Sequence, residues 1–159
     1  MEIYSAENIP NKKIVKFFKS HWGSSEMVLS SGVYDCSKLD GFAIVNDKEE
    51  IIGLITYIIK GKEIEIISLD SIDEGKGIGT FLVQEIEKHA VKKTCNAVRL
   101  ITTNDNLSAL KFYQKRGFVL KNIINNAVNK ARKLKPEIPL IGNNGIPIRD
   151  EIELIKKLD

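Results

Sequence analysis

Residues 69–83 read L-D-S-I-D-E-G-K-G-I-G-T-F-L-V, and the fold turns on how this stretch is parsed. Its first residues close a β-branched, alternating run over 63–71 that reads as a strand. Its last residues open a helical pattern over 77–93, with Ile78, Phe81, Leu82, Glu85, Ile86 and His89 in phase. Between the two, Gly75, Gly77 and Gly79 fall within five residues. A helix that starts from such a turn presents unpaired backbone N–H groups and the positive end of its dipole. Glycine also lets a ligand come close to the backbone, so the turn suits an anion such as a pyrophosphate. A plain strand-to-helix turn would use glycine as well.

Two phosphate loops can be set aside. A Walker A loop needs a second glycine five places after the first, where Gly75 is followed by Thr80. A dinucleotide fingerprint needs a different third spacing and a parallel strand before it. The strands upstream, over 41–46, 51–59 and 63–71, are joined by short turns at Asn46-Asp47-Lys48 and Lys60-Gly61-Lys62. Connections that short make an antiparallel meander.

Working outward, residues 11–22 form an amphipathic helix and 27–34 a further strand. Downstream lie a strand over 98–102, a helix over 106–116 ended by Gly117, and a strand over 118–124. Helix and strand alternating through 77–124 place an α/β arrangement on top of the meander. Residues 126–135 form a short helix stopped by Pro136, and Asn144-Gly145 is a tight turn. The pattern of 151–158 fits a strand or an amphipathic helix equally.

The stretch 69–83 resembles the hallmark R/Q-x-x-G-x-G/A of the GNAT superfamily of N-acetyltransferases, which joins that family's fourth strand to the next helix. Glu74 stands where the family has Arg or Gln, a departure that Lys76 and the helix dipole would offset. A second stretch, N-D-N-L-S-A-L-K-F-Y-Q-K-R-G-F over 104–118, is similar to the family's N-x-x-A-x-x-x-Y-x-x-x-G-F. Asn106, Ala109, Tyr113, Gly117 and Phe118 fall in register, and the likeness spans 63–121.

The resemblance implies an α/β (α+β) fold in a single domain over 1–159. Its mixed, mainly antiparallel sheet would have six to seven strands flanked by helices, splayed between the fourth and fifth. It implies an acetyl-CoA-dependent N-acetyltransferase that moves an acetyl group to a primary amine, by direct transfer in a ternary complex. The alternative is a non-catalytic acyl-CoA-binding regulatory module on the same fold. Leu69, Asp70 and Ser71 would pair with the pantetheine arm, with a backbone N–H near Leu69 as oxyanion donor. The amides of Glu74, Gly75, Lys76, Gly77, Ile78, Gly79 and Thr80 would cradle the pyrophosphate. Tyr113 would protonate the departing thiolate, or is simply a buried aromatic beside Phe112. Asn106 would bind the cofactor arm, and as an asparagine at a helix start it is equally an N-cap.

An amine must be neutral to attack, and at pH 7 an alkyl ammonium of pKa about 10.4 hardly is. A carboxylate is therefore wanted. Glu63 and Glu65 share one face of their strand, being two residues apart, and Glu65 is the favoured base. Asp70, five residues from Glu65, would point to the opposite face.

With 43% hydrophobic and 28% charged residues, the 159-residue chain has the composition of a globular protein. No apolar run approaches the roughly 20 residues of a membrane span, so no membrane partner and a cytoplasmic home are expected. Cys36, Cys95, His21 and His89 lack ligand spacing, so no metal is expected. The net charge of +3 conceals an imbalance: residues 26–90 carry six bases and thirteen acids, residues 91–136 eleven bases and one acid. Lys111, Lys115 and Arg116 in the basic part could meet the phosphates of coenzyme A, while the acidic part holds the candidate bases. No nucleic-acid motif accompanies the basic segment, so no nucleic-acid partner is expected. A small-molecule or protein amine is the expected acceptor, and homodimers are common in the family.

Overall fold

A computed structural model describes every residue except Met1, Asp73 and Glu74. The described chain forms a mostly antiparallel seven-stranded sheet, a two-stranded hairpin and four α-helices. It divides into two compact units: Met1–Met27, Tyr34–Val98 and Leu158–Asp159 in the first, Val28–Val33 and Arg99–Lys157 in the second.

In the first unit, strands β1 (Glu2–Ser5), β4 (Asp40–Val45), β5 (Ile51–Lys60) and β6 (Glu63–Ser71) lie side by side, each antiparallel to its neighbour. This is the expected meander, extended by a short N-terminal strand too brief to show a period. Helix α1 (Asn11–Trp22) buries Ile14, Phe17 and Phe18 against Ala43, Leu54 and Ile67, and Gly23 ends it with φ of 78°. Apolar positions three and four apart put these side chains on one stripe. Helix α2 (Ile78–Lys92) covers the other face of the sheet with Ile78, Leu82, Val83, Ile86 and Ala90. Gly53 makes room for it, since a side chain there would collide with Ile78 and Leu82. At the far end of α2, His89 Nε2 and the Tyr57 hydroxyl are 3.0 Å apart.

One irregularity in β6 matters more than the rest. Thr56 pairs with Ser68 and Tyr57 with Ile66, so Ile67 is an extra residue, a β-bulge. Because side chains alternate faces, one extra residue reverses the alternation beyond it. On β5, Leu54, Thr56 and Ile58 face α1, and their partners on β6 are Asp70, Ser68 and Glu65. Asp70 and Glu65 therefore share a face, contrary to the count of five residues between them.

In the second unit the strand order is β7 (Ala97–Thr103, of which the last five residues belong here), β9 (Glu151–Lys157) and β8 (Val119–Ile124). Strand, not helix, is the outcome for the C-terminal segment, because antiparallel pairing with β8 buries Leu154 and Ile155. Helices α3 (Leu107–Lys115) and α4 (Ala127–Ala131) complete the unit. The single strand expected over 27–34 is instead a hairpin, β2 (Glu26–Leu29) and β3 (Gly32–Asp35). Ser-Ser-Gly at 30–32 makes the turn, and the Ser30 N–H donates to both carboxylate oxygens of the buried Glu151 at 3.2 Å.

Gly41 tests the tightness of the meander: a Cβ there would overlap the Ile55 carbonyl oxygen on the neighbouring strand. Backbone cannot swing aside as a side-chain tip can. Gly41→Ala is expected to cost about 1–3 kcal/mol and to lower the thermal midpoint by several degrees. Thermal denaturation by circular dichroism checks it.

Candidate active site

Ile78 opens α2, and Gly77 stands at its N-cap in the left-handed conformation, φ 76° and ψ 8°. Gly75 is left-handed too, φ 86°. This backbone geometry disfavours any residue with a Cβ, which accounts for two of the three glycines. Among the described residues, chain neighbours aside, nothing lies within 4 Å of where a Cβ would stand on either. Gly77 gives no side-chain cap, and the first turn of this fifteen-residue helix holds no acidic residue. A helix start of this kind offers the backbone donors and the positive dipole end that suit a pyrophosphate. Gly75, Lys76 and Gly77 are exposed and Ile78 is buried, while Gly79 and Thr80 are intermediate. Glu74, the departure from the family pattern, lies outside the described residues.

The strand leading into the turn carries its own chemistry. Leu69, Asp70 and Ser71 are partly exposed at the end of β6, in a row otherwise buried from Ile64 to Ser68. On the α1 side, the Trp22 indole N–H donates to Asp70 Oδ2 at 2.8 Å. Burial of the carboxyl raises the Asp70 pKa above its ordinary value, opposed by the indole N–H and by nearby His21. One strand pair further along the same face, the Thr56 and Ser68 hydroxyls are 2.5 Å apart. Cys36 lies against them, and burial pushes its thiol up to about 11. At the far end of the strand Glu65 is 1% exposed, with the Lys60 ammonium 3.6 Å from its Oε1. Glu63 is half-buried at the start of the strand.

The second stretch, over 104–118, folds in the other unit. Asn106 is the N-cap of α3, and its Oδ1 accepts from the Ala109 N–H at 3.2 Å. The capping role expected from residue type is the one this geometry displays, on an exposed side chain. Tyr113 is 7% exposed, edge-on to Phe112 and Phe118 with ring centroids 5.1 and 5.4 Å away. Gly117 takes φ of 93°, as the helix stop required. Arg116 is drawn back onto its own helix: its guanidinium lies 3.7 Å from the Phe112 ring centroid, and Nη1 donates to the Phe112 carbonyl. Lys111 and Lys115 are exposed.

Several residues of this region escape a reading of the sequence. Trp22 sits 48 positions from Asp70 and reads only as the end of an apolar stripe. Asn104 holds the segment before β9, donating to the Pro147 carbonyl and accepting from the Arg149 and Asp150 N–H groups. Arg132 donates to the carbonyls of Ile138, Pro139 and Ile148, bracing the stretch that follows α4. Among the described residues no group of three His, Cys, Asp or Glu side chains is placed to hold a metal ion, and no helix is long and apolar enough to cross a membrane.

The sequence profile of the acetyltransferase (GNAT) family matches residues 11–118. The uncharacterized protein YdhI of Bacillus subtilis (strain 168) is 56% identical over 156 residues, covering 95% of this chain and 98% of that one. A GNAT family acetyltransferase from Elizabethkingia anophelis, crystallised with acetyl-CoA bound, is similar in structure with TM-score 0.71 and 20% identity, over 99% of this chain and 97% of that one. An aminoglycoside 6'-N-acetyltransferase complexed with coenzyme A is similar with TM-score 0.68 and 17% identity, over 99% and 97%.

The cap on α3 gives a direct check. Asn106→Ala is expected to lower stability by about 1 kcal/mol, and Asn106→Asp, which keeps an accepting oxygen, to hold it near the original value. Urea denaturation of the two variants distinguishes them.

Proposed function

The chain belongs to the GNAT acetyltransferase family, and on that premise we propose that it transfers the acetyl group of acetyl-CoA to a primary amine by direct attack within a ternary complex. The observation that carries this reading is the glycine start of α2. Gly75 and Gly77, both left-handed, precede fifteen helical residues, with no side-chain cap from Gly77 and no acidic residue in the first turn. The family profile runs through residues of both units, which supports treating the chain as one catalytic domain.

Each proposed role follows from what a residue offers. The amides from Glu74 to Thr80 bind the pyrophosphate of acetyl-CoA by charge-assisted hydrogen bonds. Leu69, Asp70 and Ser71 lend backbone groups to the pantetheine arm, and a backbone N–H near Leu69 stabilises the oxygen of the attacked thioester. An oriented donor aimed at developing charge is worth several kcal/mol in a dry site. Tyr113 gives its hydroxyl proton to the departing thiolate, and Asn106 steadies the cofactor arm in addition to capping α3. Glu65 and Asp70 lie on one face of β6, and one of them serves the ammonium as general base. The acceptor is a small-molecule or protein amine.

Binding and turnover can be tested separately. Acetyl-CoA is expected to raise the thermal midpoint, because a ligand of the native state stabilises by about 2.7 kcal/mol at a hundred times its Kd. No shift at millimolar acetyl-CoA would sink the reading. Tyr113→Phe is expected to lower kcat roughly 10²-fold or more while the acetyl-CoA affinity stays close to the original. Release of free thiol on a panel of primary amines measures the first, calorimetric titration the second.

A further inference from the structure

We infer that Asp70, held in place by the Trp22 indole, is the carboxylate that receives the acceptor ammonium and takes its proton, with Trp22 as its positioning residue. The inference rests on the reading that this chain acetylates an amine.

The geometry separates the two carboxylates of β6 clearly. Glu65 is 1% exposed and its charge is already answered by Lys60. An incoming ammonium would have to displace that lysine within a buried row of the strand. Asp70 is partly exposed at the end of the same face. Among the described residues its side chain accepts one hydrogen bond, from the indole N–H to Oδ2. A carboxylate has two oxygens with about four acceptor positions, so Oδ1 is left to meet a donor from outside. The indole is 45% exposed and stands at the end of α1, and Ile72 beside the strand end is 50% exposed. An alkyl ammonium could lay its carbon chain against these apolar surfaces and its charge against Asp70, with the ring face adding cation–π attraction.

The bulge at Ile67 is what makes this arrangement available. Without the extra residue, Asp70 would be turned toward α2 and Trp22 could not reach it. Among the described residues, the titratable groups that face Asp70 are His21 on α1 and the Cys36 thiol from the short turn after β3. From β5 it faces Leu54, which carries no charge. Burial favours the protonated form of Asp70, which makes it a stronger base than a surface aspartate. The indole N–H works in the other direction, favouring the ionised form.

The proton balance closes. The ammonium gives one proton to Asp70, and the neutral nitrogen forms a bond to the thioester carbonyl carbon. The carbon–sulfur bond breaks, the sulfur leaves with its electron pair and takes a proton from Tyr113. The second proton shed by the nitrogen makes good that loss through solvent, and Asp70 returns its own proton to water. The products are the amide, the free thiol of coenzyme A and one proton.

The test uses three variants of the full chain. Asp70→Asn keeps an oxygen that can accept from the indole but removes the charge. It is expected to lower kcat/KM for the amine about 10²-fold or more, with KM for acetyl-CoA within about twofold of the original. Trp22→Phe keeps an aromatic ring but removes the N–H that favours the ionised carboxylate, so the acid limb of the pH–rate profile should move upward. A residue of merely structural importance would not move that limb. His21→Gln identifies any contribution of the imidazole.

Because Trp22 is the chain's only tryptophan, its fluorescence reports on Asp70 independently of turnover. Indole emission should titrate with a midpoint above the ordinary aspartate range, lose that transition in Asp70→Asn, and respond to butylamine, spermidine or an alanyl tripeptide added with coenzyme A. A wild type that acetylates an amine, beside an Asp70→Asn variant equally fast, overturns the inference and leaves the acetyltransferase reading standing. A wild type that acetylates none of the three defeats that reading for this panel. The emission then still decides the role of Asp70: no amine-dependent change, or a transition that survives Asp70→Asn, overturns it.

Discussion

A strand has a period of two, and nothing in β6 has more effect on the rest of the site than the single break in that period at Ile67. Before the bulge, Glu63 and Glu65 face α1, and Ile64 and Ile66 face α2. After it, Ser68 and Asp70 face α1, and Leu69 and Ser71 face α2. The shift costs one ladder position. In return it lines the α1 side with polar groups: the Thr56–Ser68 hydroxyl pair, the Cys36 thiol packed against them and the Asp70 carboxyl anchored to Trp22. Buried polar groups are tolerable when partnered, and each of these has a partner within its own unit.

The same strand then runs into a turn whose demands are of another kind. Here the backbone matters more than side chains. Left-handed conformations at Gly75 and Gly77 turn the chain into α2. A row of packed side chains and a turn shaped by glycine backbone thus follow one another along one stretch of chain. The turn's conformation is set by glycine backbone, so it does not depend on which side chains the other elements present.

The sequence makes the meander, both central helices and the glycine turn legible, because their signals are local. Alternation marks β4 to β6, helical spacing marks α1 and α2, and Gly117 and Gly77 stop or start helices by conformational need. The hairpin at β2 and β3 had a signal as well, the Ser-Ser-Gly turn, hidden in a short apolar run. Strand β9 could not be told from a helix, since its buried Leu154 and Ile155 are adjacent and its period is settled by pairing with β8. The bulge has no local signature at all. Ile64, Ile66 and Ile67 are equally content on either face, and register is fixed only by what lies across the sheet. Asp70 was thus assigned the wrong face by a sound rule applied to a strand that breaks it. Trp22 was invisible as a site residue for a related reason: its partner is 48 residues away.

Arg132 leaves a last mark on the chain between α4 and β9. One guanidinium gathers the carbonyls of Ile138, Pro139 and Ile148, while Asn104 grips the chain at Pro147, Arg149 and Asp150. Both clamps act on main-chain atoms and are indifferent to the side chains between them. The tip around Asn143, Asn144 and Gly145 hangs from this collar and is tied back once more, by the Asn144 amide donating to the Asp105 carbonyl at 3.3 Å. Gly142 packs against the Asp105 side chain with no room for a Cβ. The clamps thus leave side chains between them free to vary, while the tip keeps its own glycine and asparagine.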